Sequence, residues 1–247
     1  MTPIRTVMMI AISTASLALA ACGAGGDGGT AAGDAIAKIT APAGKQWSQM
    51  VVPTADGFRM GNPDAPLKLI EFASPTCSHC AEFSRTGAEG LKTEFVDSGR
   101  VSVEVRPFML NPFDLVIASL LQCAGPERFF PLLENNYQSQ EELFAGLQGD
   151  QAAIQAAAAQ PEATRFAALA RAAKLDQYFA ARGIPETQTA TCLASTASVN
   201  HWAESTERNG KQYEITGTPT FVLNERVMTG AATWEAVRDG LRAAGAR

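Results

Sequence analysis

The chain has 247 residues, 46% of them hydrophobic and 18% charged, with a formal net charge of −5. That length suits one large domain or one domain carrying an insertion, and the composition excludes a disordered or fibrous chain. An acidic balance without a basic cluster argues against electrostatic binding of nucleic acid. Two histidines and five cysteines confine metal and nucleophile chemistry to few positions.

Residues 1–21 carry one charge, Arg5, followed by an apolar stretch over 7–20 interrupted only by Ser and Thr. This is the pattern of a cleaved export signal rather than a spanning helix, which would need a longer core. The segment ends in Leu19-Ala20-Ala21-Cys22, which resembles the lipobox of bacterial lipoproteins. The resemblance implies cleavage before Cys22, lipidation of Cys22 and a membrane anchor made of acyl chains. Gly23 after the cysteine leans toward the outer membrane in that family. The stretch after it is rich in Gly and Ala, with Asp27 and Asp34 its only charges up to residue 34. Residues 22–45 are therefore expected to be a flexible tether.

Residues 50–52 and 58–60 flank Thr54-Ala55-Asp56-Gly57, which predicts a short hairpin. The apolar run 67–73 predicts a buried strand, closed by Ser74-Pro75-Thr76. Residues 77–96 read as a helix, with Gly87 and Gly90 weakening it. Alternating valines at 101, 103 and 105 predict a strand parallel to the first, so 67–105 is a strand–helix–strand unit. From 114 to about 210 the chain reads as about five Ala-rich helices, broken at 125–126, 149–150, 160–161 and 183–185. Strands return at 220–224 and 226–228, and Thr233 caps a last helix. An α/β domain interrupted by helices explains this order better than two tandem domains. The expected division is 46–113 and 211–247 for the two parts of the α/β domain and 114–210 for the helical insertion.

Cys77 and Cys80 are spaced C-x-x-C, a redox pair or half of a zinc site. No second pair of ligands is evident in the sequence. The motif falls at the junction of a buried strand and a helix. There the unpaired N–H groups and the helix dipole favour a thiolate at Cys77, and His79 adds a donor or a positive charge. Cys80, one turn on, is expected to be more buried and able to attack a mixed disulfide at Cys77.

The stretch Leu69-Ile70-Glu71-Phe72-Ala73-Ser74-Pro75-Thr76-Cys77-Ser78-His79-Cys80 resembles the active-site region of DsbA-like proteins, and Gly217-Thr218-Pro219-Thr220 resembles their cis-proline loop. The resemblance spans about residues 60–245. It implies a thioredoxin-like α/β fold with a helical insertion and thiol:disulfide oxidoreductase activity on exported proteins. Cys77 resembles the nucleophile and Cys80 its buried partner. Glu71 resembles the acid beneath the pair, Pro219 the cis-proline facing it, and Thr218 the residue that offers its backbone to substrate. Ser78 stands where the family commonly has Pro, and Thr218 where its best-known oxidases have Val. Both blur the distinction between oxidase and isomerase or reductase. A DsbB-like membrane partner would reoxidise the pair, and no metal, nucleotide or organic cofactor is implied. The expected place is the periplasmic side of a bacterial membrane.

Duller readings stand beside these. The C-x-x-C could be a structural bridge in a lipid-anchored binding protein, Glu71 could face solvent, and Pro219 could be trans. Cys123 and Cys192 are expected to form a structural disulfide across the helices; a second redox pair or two free thiols are the alternatives. His201 and Trp202 read as packing or surface residues.

Overall fold

The computed structural model describes residues 33–247. The export signal, Cys22 and the first part of the tether lie outside the described residues. The second part of the expected tether is not free: Gly33 N–H donates to Ala243 O, Ile36 N–H to Gly245 O, and Ile39 N–H to Ser98 O. Arg100 Nε and Trp47 Nε1 donate in turn to Ile36 O and Ile39 O. A low-complexity stretch is thus held by backbone groups that its composition does not reveal.

β1 (Val51–Pro53) and β2 (Phe58–Gly61) form the expected hairpin, followed by the central strand β3 (Leu67–Ala73). The helix α1 (Ser78–Gly90) continues into a wider turn over Leu91–Val96, and β4 (Val101–Pro107) returns parallel to β3, with Leu67 opposite Val101 and Ala73 opposite Pro107. β5 (Thr220–Leu223) and β6 (Arg226–Val227) complete a sheet of order β1-β2-β4-β3-β5-β6, in which β3 and β4 are the parallel pair. β3 carries apolar residues on both faces, with Glu71 the one buried charged residue and Lys68 the one exposed residue, as suits a strand with neighbours on each side.

Between β4 and β5 lie eight helices among the described residues, not about five: α2 (Pro112–Cys123), α3 (Pro126–Gln138), α4 (Gln140–Leu147), α5 (Gln151–Ala158), α6 (Glu162–Ala172), α7 (Leu175–Ala180), α8 (Glu186–Ala194) and α9 (Thr196–Gln212). The expected breaks all occur at their Gly or Pro. The missed ones fall at Ser139, Lys174 and Ser195, which are not punctuating residues; Lys174 turns the chain with a left-handed φ of 56°. Packing against neighbouring helices overrides local propensity there. Cys123, at the end of α2, is bonded to Cys192 in α8.

The last helix, α10 (Trp234–Ala243), is capped by the Thr233 hydroxyl, which accepts from Ala236 N–H. Its Trp234 meets Phe83 and Phe95 edge-on, at centroid distances of 6.5 and 6.0 Å. Gly87 and Gly90 make room for it. A Cβ at either would stand 2.9 or 2.6 Å from the indole. The two glycines that weaken the helix locally are what lets α1 lie against α10.

Candidate active site

The site begins where β3 ends. Ser74-Pro75-Thr76 turns the chain, and Cys77 N–H donates to Ser74 O at 3.1 Å. Cys77 is the N-cap of α1, and its sulfur accepts from Cys80 N–H at 3.2 Å. The sulfur thus occupies the position where a capping oxygen ordinarily satisfies an orphan helix donor, which favours its ionised form. Cys77 is brought down to about 5 by the Cys80 thiol that donates to it, against the opposing effect of burial. The Thr218 hydroxyl and the backbone N–H groups of Cys80 and His79 add to the lowering. Cys80 has no solvent exposure, and burial pushes its thiol well above the usual range. Both thiols are unbonded. The side chains of Ser78 and His79 are exposed, and the His79 backbone N–H contributes to the lowering at Cys77.

The loop before β5 closes one side of the site. The Thr218–Pro219 peptide is cis, and the Cys77 thiol donates to Thr218 O at 3.3 Å. The Thr218 hydroxyl is buried without a well-directed hydrogen bond, and its electrostatic effect falls on both sulfurs.

Glu71 lies on β3 and is buried rather than facing solvent. Loss of hydration, followed by the nearby charges of Cys77 and Glu134, raises its carboxyl to about 8, so it is mostly protonated at neutral pH. It borders a cavity of about 50 Å³ that also meets Tyr137, Lys92 and Glu134. Lys92 and Glu134 pair at 2.7 Å, each about one-quarter exposed.

Several residues of the site escaped the sequence reading. Asp114 is buried in the first turn of α2 and bonds to the 74–76 turn, while Asn136, Tyr137 and Gln140 donate to backbone carbonyls of that turn and of Cys77. The Asn111-Pro112-Phe113-Asp114 run was a usable signal, since Asn111 and Asp114 form a capping box. Nothing in the sequence singled out the others. Trp202 is buried as packing, and among the described residues no three His, Cys, Asp or Glu side chains converge to hold a metal.

The arrangement pairs an accessible-side sulfur that ionises easily with a buried sulfur that does not, above a protonated acid. The family described as Thioredoxin matches residues 54–243. The chain belongs to the thioredoxin family. Within that family, its fold is DsbA-like. A protein-disulfide isomerase from Novosphingobium aromaticivorans is 32% identical, with a TM-score of 0.70 over 75% of this chain and 95% of that one. The alpha-DsbA1 of Wolbachia pipientis, 19% identical, shares the fold with a TM-score of 0.61 over 77% of this chain and 92% of its own. A Rickettsia conorii protein provisionally named a protein-disulfide oxidoreductase is 33% identical over 86 residues, 35% of this chain and 31% of that protein. This thioredoxin-family chain thus spans about a third of the length of the curated relatives it matches.

Proposed function

We propose that the protein is a thiol:disulfide oxidoreductase that introduces disulfides into exported proteins through Cys77 and Cys80. The observation that carries this reading is the split between the two sulfurs: Cys77 brought down to about 5, Cys80 pushed up. A stabilised Cys77 thiolate favours the reduced pair, so the corresponding disulfide is a strong oxidant.

In the oxidised protein, a substrate thiolate attacks Cys77 Sγ and the Cys77–Cys80 bond breaks. A mixed disulfide forms, and Cys80 leaves as a thiolate of high basicity. It takes up a proton, which the buried Glu71 carboxyl would supply; its charge acts on the Cys80 sulfur. A second substrate thiolate then attacks the substrate sulfur of the mixed disulfide and expels Cys77 as a stable thiolate. Two electrons pass from the substrate dithiol to the cysteine pair. The Thr218–Pro219 loop would line the substrate's path. Reoxidation needs an electron acceptor, for which a DsbB-like membrane protein is the proposed partner. Lipidation at Cys22 would hold the protein on the periplasmic side of a membrane; among the described residues no helix is long and apolar enough to cross one.

A second reading, disulfide isomerase, is favoured by the name of the Novosphingobium protein and by Thr218 before the proline. The reduction potential of the Cys77–Cys80 pair in glutathione buffers decides between them. A value near about −120 mV supports the oxidase and one near about −180 mV the isomerase. A value near about −270 mV marks a reductase, and a pair resistant below about −300 mV a structural bridge.

A further inference from the structure

Asp114 has no solvent exposure, yet its carboxylate is filled from two separate loops. From the turn before α1 it accepts Ser74 Oγ–H at 3.0 Å, Thr76 N–H at 3.1 Å and Thr76 Oγ1–H at 2.9 Å. From the loop before α2 it accepts Leu110 N–H at 2.8 Å and Asn111 N–H at 3.2 Å. The Asn111 amide also donates to it, at 3.2 Å, and to Thr76 Oγ1 at 2.8 Å. Six donors converge on its two oxygens and favour the ionised carboxylate, against the burial that raises its carboxyl above the usual range.

The same turn is gripped from α3 and α4. Tyr137 Oη–H donates to Ser74 O at 3.1 Å, Asn136 Nδ2–H to Pro75 O at 2.8 Å and Gln140 Nε2–H to Cys77 O at 3.0 Å. Each of residues 74–77 is therefore bonded to a side chain from the helices between β4 and β5. A cap for α2 alone would need the loop 110–111 and not the turn 74–76.

The consequence follows from where Cys77 sits. An N-cap residue is the last one before the helix, so its sulfur is aimed by whatever holds the turn in front of it. The bond it receives from Cys80 N–H weakens steeply with distance and angle. We propose that Asp114 and Gln140 are positioning residues for Cys77: by holding the turn from outside the sheet, they aim its sulfur at the first N–H groups of α1. The inserted helices thus set the chemistry of the sulfur as well as covering the site. The inference rests on the reading of Cys77 as the sulfur that substrate attacks and that leaves as a stable thiolate.

The test is the pH midpoint for alkylation of Cys77 in the reduced full chain, with the Cys123–Cys192 bond intact, compared with Asp114→Asn. Asparagine keeps the shape and one accepting oxygen but turns its NH2 toward donors. A rise of about one unit, hence about tenfold less thiolate below both midpoints, supports the proposal. A direct charge effect gives the opposite sign, since removing a negative charge lowers the midpoint. A fall overturns the proposal. So does an unmoved midpoint with a lower melting temperature, which would mark a cap and nothing more. If Asp114→Asn does not fold, Gln140→Leu carries the test, because it removes only the donor to Cys77 O. A smaller rise supports the proposal and no rise overturns it. A wild-type midpoint already near about 8.5 would sink the thiolate reading itself. A low wild-type midpoint that the variants leave unmoved sinks only the positioning role.

Discussion

The sulfur of Cys77 lies 3.3 Å from the carbonyl oxygen of Thr218, 141 residues further along the chain. The contact exists because β5 pairs antiparallel with β3, with Phe221 opposite Glu71. The loop that enters β5 is thereby laid against the start of α1, and the acid, the sulfurs and the proline loop share one end of the sheet.

Cys77→Ser is expected to abolish disulfide exchange with a reduced model peptide. In the reverse direction Cys77 attacks a peptide disulfide and Cys80 displaces the peptide from the mixed disulfide; Cys80→Ser keeps the first sulfur and removes the second. Given the peptide in its oxidised, disulfide form, the Cys77 thiolate of this variant should expel one peptide thiolate and accumulate the mixed disulfide, visible by mass. Free turnover by Cys80→Ser would show that Cys80 is not the resolving partner.

Cys77 ionises at about 5 in the fold, against about 8.5 in an unfolded chain. A depressed folded value stabilises the reduced protein at pH above the unfolded value, and the gain is lost as pH falls through about 5. The oxidised protein has no such group. The melting temperature of the reduced form relative to the oxidised form should therefore rise from pH 4 to pH 8. A flat difference across that window contradicts the ionisation assigned to Cys77.

Glu71 shifts the other way, to about 8 from about 4.3 unfolded. Between those values the folded state holds the extra proton, so stability falls with rising pH. Glu71→Gln removes that penalty. The variant should be more stable than the parent, by an amount that grows from near zero at pH 4 to a few kcal/mol at pH 9, read from urea midpoints. It should also release Cys80 more slowly at neutral pH.

The Cys123–Cys192 bond closes a loop with a sequence separation of 69. On the loop-entropy account its loss costs roughly 4 kcal/mol. Replacing both cysteines with serine should lower the urea midpoint accordingly while leaving the alkylation midpoint of Cys77 in place. A shift in that midpoint would link the bond to the redox pair.

Gly90→Ala reverses the usual sign of a helical Gly-to-Ala change. In an open helix alanine gains about 1 kcal/mol. Here the new methyl would stand 2.6 Å from the Trp234 ring. The variant should lose stability by about 1–3 kcal/mol, checked by thermal unfolding. An increase would mean that α10 yields easily.

Much of the site was legible because its signals are local. A C-x-x-C after an apolar run, with Ser-Pro-Thr between, places a sulfur at a helix start without any knowledge of the rest. The Asp-Gly hairpin and the Thr233 cap are equally local. Gln140 and Asn136 carry no such mark. Each is an ordinary helical amide until the fold brings a particular carbonyl within reach. The missed helix breaks at Ser139, Lys174 and Ser195 likewise carry no Gly or Pro to mark them and have no side-chain cap.

The strand and helix periods, the cysteine pair and its place at a strand-to-helix junction are written in the chain itself. These depend on side-chain type and on spacings of a few residues. That Glu71 is buried and protonated, and that Asp114 grips the turn before Cys77, depends on the assembled fold. So does the docking of residues 33–39 on the body of the protein. Each is settled by desolvation or by a hydrogen bond between residues far apart in the chain. Such energies arise only once the partner has arrived, so no local pattern encodes them.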